Sequence, residues 1–118
     1  MKKLFLLTIA LTYSFSAWAS PNCEKLAIIA TSNASNYGDT TTAHIQGKKN
    51  TRIYFYSAPS EQCKSQIFII PNDKITILQD ILSNGVMWSY VSYTSKNDLP
   101  QITQGWIKKF YIGEMTFN

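Results

Sequence analysis

Arg52-Ile53-Tyr54-Phe55-Tyr56-Ser57 alternates strictly between two sets of side chains. Successive residues of a strand point to opposite faces, so Ile53 and Phe55 share one face while Tyr54 and Tyr56 share the other. The aliphatic pair is the expected core side. Lys74-Ile75-Thr76-Ile77-Leu78 repeats the pattern with Ile75 and Ile77 inward, and in the next run Val91 and Tyr93 oppose Tyr90 and Ser92. From Ala43 onward no apolar repeat at helical spacing is long enough for a helix of about twelve residues, so this half reads as all-β.

The expected strands are Ala43 to Gln46, Arg52 to Ser57, Gln66 to Ile70, Lys74 to Asp80, Met87 to Thr94 and Gly105 to Lys108. Gly47 to Asn50, Pro71-Asn72-Asp73, Ser83-Asn84-Gly85 and Lys96 to Pro100 supply turn chemistry between them. Short strands with tight turns predict a small β-barrel, since closure removes the exposed edges of so short a sheet. Residues 20–42 are rich in Ser, Thr and Asn and read as an irregular leader. Its apolar anchor is Leu26-Ala27-Ile28-Ile29-Ala30, a short strand or a single helical turn.

A chain of 118 residues with 45% hydrophobic side chains has room for one domain and one main core. The first nineteen residues are expected to be an address. Lys2 and Lys3 precede an apolar run from Leu4 to Leu11, and Ala17-Trp18-Ala19 has the small-x-small form of a cleavage site. The run is too short to span about 30 Å of hydrocarbon, so it reads as a cleaved signal peptide that leaves no membrane anchor. Its double-Lys start suits a bacterial exporter, so the mature protein is expected in the periplasm, with secretion to the outside as the lesser alternative. Losing Lys2 and Lys3 lowers the formal charge from +4 to +2. That excess is too small to imply nucleic acid.

Export changes what two cysteines can mean, because thiols pair in an oxidising compartment. Cys23 and Cys63 are expected to form a disulfide that ties the leader to the rest of the chain. There is no C-x-x-C for redox exchange, and one His with two distant Cys cannot complete a tetrahedral zinc site. No metal or cofactor is expected.

Thr51 to Ile112 resembles the bacterial SH3-like domains of exported proteins. The residues that carry the likeness are Tyr54-Phe55-Tyr56-Ser57-Ala58-Pro59, Ile70-Pro71-Asn72-Asp73-Lys74-Ile75-Thr76-Ile77-Leu78, Trp88-Ser89-Tyr90-Val91 and Gly105-Trp106-Ile107. The Ser57-Ala58-Pro59 loop followed by Cys63-Lys64 is most similar to a subgroup of small periplasmic members with a second Cys upstream. The resemblance implies an SH3-like barrel over residues 43–118 but no particular activity. Asn72-Asp73 stands where such domains usually carry Gly, a position Asn and Asp tolerate. Ile81 to Met87 is longer than the usual connection before the Trp.

No catalytic constellation is expected. His44 is the sole His and nothing beside it marks a nucleophile, so Ser-His-Asp and Cys-His arrangements are not expected. Glu61, Asp73, Asp80 and Asp98 read as solvated carboxylates of turns and strand ends. Asn33-Ala34-Ser35 matches a glycosylation sequon without meaning in a bacterial periplasm. Aromatic and basic surface remains. Tyr54, Tyr56, Tyr90 and Trp88, with Lys108 and Lys109, are the candidate binding residues, and Tyr54 with Tyr56 forms the expected stacking platform. Packing of the same two tyrosines against the leader is the competing expectation. The loop from Ser57 to Gln62 belongs to the same expected surface. Lys48, Lys49, Arg52 and Lys64 are further cations that read as separate solvated turns; the lesser reading is that the basic residues converge and contact anionic peptidoglycan or an acidic partner. The function expected is a monomeric, non-catalytic module that binds a cell-wall peptide or a protein. The alternative is an immunity or inhibitor protein against an exported toxin or wall-degrading enzyme.

Overall fold

A computed structural model describes residues 22–38 and 41–117; the expected signal peptide and cleavage site lie outside the described residues. The chain runs α1 (Asn22–Asn33), β1 (Ser35–Asn36), β2 (Thr42–His44), β3 (Ile53–Tyr56), a 3₁₀ turn (Glu61–Cys63), β4 (Lys64–Ile69), β5 (Lys74–Ser83), β6 (Val86–Thr94), β7 (Ile102–Lys108) and a second 3₁₀ turn (Lys109–Tyr111). The fold is mostly β, and its strands form one antiparallel sheet in the order β1-β5-β6-β7-β3-β4, with β2 also on β5.

The sheet does not close, in contrast to the barrel expected from the strand pattern. The partner of β2, besides β5, is the C-terminal segment, through bridges Thr42 to Thr116 and Ile45 to Ile112. β4 therefore ends the sheet order, paired with β3. The turn chemistry holds closely. Asn72 (φ 77°), Asn84 (φ 50°) and Gly85 (φ 80°) take the left-handed backbone that Asn and Gly tolerate best. Asn84-Gly85 is a two-residue hairpin turn, so Ile81 to Ser83 and Val86-Met87 extend β5 and β6 rather than forming a long connection.

Two apolar clusters lie on the two faces of the sheet. Ile53, Phe55, Ile75, Ile77, Val91 and Ile107 are buried together with Ala43, Ile45, Ile69 and Ile112, and Tyr93 packs against them. The inward alternation is as the sequence indicated. The opposite face carries Tyr56, Trp88 and Trp106, buried with Ala30 and flanked by Ala34, Tyr54, Ile81 and Tyr90. What covers it is the segment expected to be irregular, which is three turns of helix. Cys23, Leu26, Ala27 and Ala30 fall at helical spacing on one side, and the methyl of Ala30 lets the helix approach the aromatic rings closely. Ile28 and Ile29 are left exposed on α1.

Both ends of α1 are fixed. The Cys23–Cys63 disulfide joins its first turn to the 3₁₀ turn before β4. At its far end, the Gln79 amide donates to the Thr31 carbonyl (3.3 Å) and to Asn36 Oδ1 (2.8 Å). The irregular leader with a one-turn or one-strand anchor is corrected to a helix of twelve residues, of which only Ala30 is fully buried. Cys23, Leu26, Ala27 and Ala30 keep the helical period, but Ile28 and Ile29 on the exposed side blur it into one short apolar run.

Candidate functional site

β3 and β7 share a single ladder pair, Tyr56 with Trp106. Beyond it β7 ends at Lys108 and the chain winds into the 3₁₀ turn Lys109–Tyr111, so it cannot follow β3 any further. The strands splay there. The opening is a cleft of about 330 Å³ whose walls include Tyr54, Tyr56 and Tyr111 and whose charged groups are Arg52, Lys64, Lys108 and Glu61.

Each cation rests on a ring. The Arg52 guanidinium lies 4.7 Å from the Phe68 centroid, and the Lys64 ammonium lies 4.3 Å from that of Tyr54. Lys108 Nζ sits 5.9 Å from Tyr56 and 5.7 Å from Trp88. Such contacts contribute about 0.5–1 kcal/mol each at exposed sites and, more usefully, hold long side chains in place. Lys108 also forms an ion pair with Glu61 (2.5 Å), whose other oxygen accepts a long hydrogen bond from the Tyr56 hydroxyl (3.4 Å). That hydrogen bond from Lys108 holds the Glu61 carboxyl below its usual range, and the Lys108 ammonium is raised in return. Among the described residues no carboxylate lies within ion-pair distance of Arg52 or Lys64. The cleft thus carries three cations against one anion.

The expected binding residues separate into three groups. Tyr54, Tyr56 and Lys108 meet in the cleft. Trp88 and Tyr56, 2% and 8% exposed, are floor rather than platform: their rings pack edge to face at 4.8 Å beneath α1. Packing against the leader, the competing expectation for the tyrosine pair, therefore describes Tyr56, whereas Tyr54 stays half-buried at the cleft wall. Tyr90 meets Trp106 edge to face at 5.2 Å on the same covered face. Burial pushes the Tyr56 phenol up.

Lys109 belongs to a different structure altogether. It pairs with Asp80, a carboxylate expected in solvent but 6% exposed. Asp80 accepts further hydrogen bonds from Ser89 (2.5 Å) and Tyr37 (2.6 Å), and Lys109 also donates to the Tyr37 hydroxyl (3.1 Å). Asp80 is buried and its oxygens are taken by Ser89, Tyr37 and the part-buried Lys109, so this network braces the second 3₁₀ turn against β5. Burial alone would lower the Lys109 ammonium, but the hydrogen bonds to Asp80 and Tyr37 outweigh it and raise it; burial and the bond to Asp80 raise the Tyr37 phenol.

Sequence reasoning put the loop from Ser57 to Gln62 on the binding surface and kept convergence of the cations as its lesser reading, but it singled out neither Glu61 nor the meeting of Arg52 with Lys64. The short loop from Ser57 to Gln62 was the available signal, because it must return Lys64 against β3, where it pairs with Tyr56. A larger concavity of about 690 Å³ lies at the Gly47 and Asn72 turns and includes His44, Ile70 and Pro71. Its lining includes Lys49 but none of the aromatic candidates and neither Lys108 nor Lys109. Among the described residues no group of His, Cys, Asp and Glu is arranged to hold a metal, and no helix is long and apolar enough to cross a membrane. The chain matches no protein-family model, no curated protein and no solved structure.

Proposed function

We propose that this protein is an exported, non-catalytic binding module of the SH3-like type, acting in the bacterial periplasm on a cell-wall peptide or a peptide segment of a protein. The observation that carries the reading is the β3/β7 cleft, where aromatic walls and ring-seated cations stand at a gap in the sheet. Rings give broad contact area at low entropic cost, and cations add direction, the combination that peptide recognition uses. The disulfide is compatible with an oxidising, exported compartment. The SH3-like assignment rests on the sequence likeness from Thr51 to Ile112, and the division into signal peptide, leader and domain rests on the sequence reading.

The test uses the oxidised chain from Ser20 onward. Sedimentation with purified sacculi, abolished by Tyr54→Ala with Arg52→Met but not by Glu114→Gln, is the expected result. Unchanged sedimentation with the cleft variant would show that the site lies elsewhere.

A second reading, an immunity or inhibitor protein, draws on a different feature. The β5–β6 hairpin tip presents Leu82 (64% exposed), Val86 and Met87 to solvent, an apolar projection suited to docking on another protein. A tight one-to-one complex from periplasmic extract, lost with Leu82→Asp and retained by the cleft variant, would favour this reading over the first.

A further inference from the structure

The cleft already contains one carboxylate, and its placement indicates what the cleft is built to receive. Glu61 sits on the 3₁₀ turn beside the disulfide, its side chain 67% exposed, and reaches across to Lys108, which is 30% exposed. Arg52 and Lys64 line the same cleft and carry no carboxylate of their own among the described residues. Both are held on aromatic rings, so neither must be ordered anew when a ligand arrives.

We propose that the cleft takes an acidic peptide segment, seating side-chain carboxylates on Arg52, Lys64 and Lys108, and that Glu61 is an internal competitor occupying the Lys108 position until a ligand carboxylate displaces it. This inference rests on the binding-module reading and names its ligand class. The exchange at Lys108 replaces one carboxylate with another, so the ammonium never loses its partner. Arg52 and Lys64 supply the net gain. Glu61 is solvent-exposed, so leaving Lys108 carries little desolvation cost. Tyr54 and Tyr111 provide apolar contact for the peptide between its charges. Specificity follows from the same groups: an uncharged peptide leaves Glu61 on Lys108 and Arg52 and Lys64 unmatched, and a basic one is repelled.

The distinguishing variant is Glu61→Gln. If Glu61 only braced the fold, its loss would weaken or spare binding. If it competes, its loss tightens binding by about two- to five-fold, the range expected of an exposed ion pair.

The experiment measures fluorescence anisotropy of two labelled, amidated peptides, one alternating Asp with Ser and the other alternating Asn with Ser, on the oxidised chain from Ser20 onward. The expected result is binding of the Asp peptide about ten-fold or more tighter than the Asn peptide, weakened by added salt. It should be lost in Arg52→Met and Lys64→Met and strengthened in Glu61→Gln. Glu114→Gln changes the net charge by the same amount outside the cleft and should leave affinity unchanged. Thermal melts of every variant separate lost binding from lost folding.

Equal affinity for both peptides overturns the carboxylate assignment and leaves the binding module standing. Failure of the Asp peptide to bind, or Glu61→Gln that binds no tighter than wild type, overturns the inference. Inorganic phosphate competing as strongly as free aspartate-rich peptide would do so too, by showing a patch that takes any anion. Sacculus capture undiminished by the cleft variant overturns the underlying module reading instead.

Discussion

Removing the disulfide tests how the aromatic face of the sheet is kept covered. Cys23 and Cys63 are 40 residues apart in sequence, and cross-linking a loop of that length removes about 4 kcal/mol of unfolded-chain entropy on the loop-closure model. A domain of this size has only about 5–15 kcal/mol in total. The replacement Cys23→Ser with Cys63→Ser is therefore expected to lower the melting temperature by roughly 15–30 °C, at about 4–8 °C per kcal/mol. The native state offers α1 little to compensate. It buries only Ala30 fully and exposes Ile28 and Ile29, so apolar contact alone grips it weakly once the covalent tie is gone. The assay follows tryptophan emission with urea, comparing oxidised, reduced and double-Ser protein from Ser20 onward. Trp88 and Trp106 lie under the helix, 2% and 1% exposed. Emission should shift to the red in the reduced protein below the main unfolding transition, as α1 lifts from the sheet. A loss of stability under about 1 kcal/mol would refute the reasoning, because the loop-closure contribution would then be absent. Full destabilisation with unshifted native emission would refute the weak-grip part alone.

Ile77→Ala or Val91→Ala should each cost about 2–4 kcal/mol, since both side chains are completely buried in the inner cluster; urea midpoints unchanged in both would place the core elsewhere. Gly105→Ala should destabilise by roughly 1–3 kcal/mol, because a Cβ there would stand 3.0 Å from Phe55 Cδ1, 3.2 Å from its Cβ and 3.3 Å from the Tyr56 carbonyl; a neutral melt would mean that β3 can move aside. Raised folded-state pKa values at Lys109 and Tyr37 predict stability that is intact below about pH 10 and lost as pH climbs through the raised values, because the folded state then holds protons the unfolded chain has released. Lys109→Met should flatten that alkaline limb, and an identical pH profile in wild type and variant would count against the Asp80 network as its source.

The alternation of Ile53 with Phe55, of Ile75 with Ile77 and of Val91 with Tyr93 determined the inner core, because a strand's two-residue period is a local property of the backbone. Turn positions were legible for the same reason: left-handed backbone at Asn72, Asn84 and Gly85 is a demand that a few residue types meet. The pairing of Cys23 with Cys63 needed only a count of two and an oxidising compartment. Tertiary structure alone decided the rest. The register of β5 on β6 shifts between Ile77 and Gln79, reversing the alternation and turning Asp80 inward onto Ser89 and Lys109. No two-residue period can foresee that reversal, which depends on how a neighbouring strand pairs. Tyr56 and Trp88 became floor because a helix whose apolar stripe is blurred by the exposed Ile28 and Ile29 lies over them, held by a covalent bond. Arg52, Lys64, Lys108 and Glu61 converge only where β7 bends away from β3. Strand period and turn chemistry act within a few residues, whereas bulges, covering helices and splayed strands are settled between segments far apart in the chain.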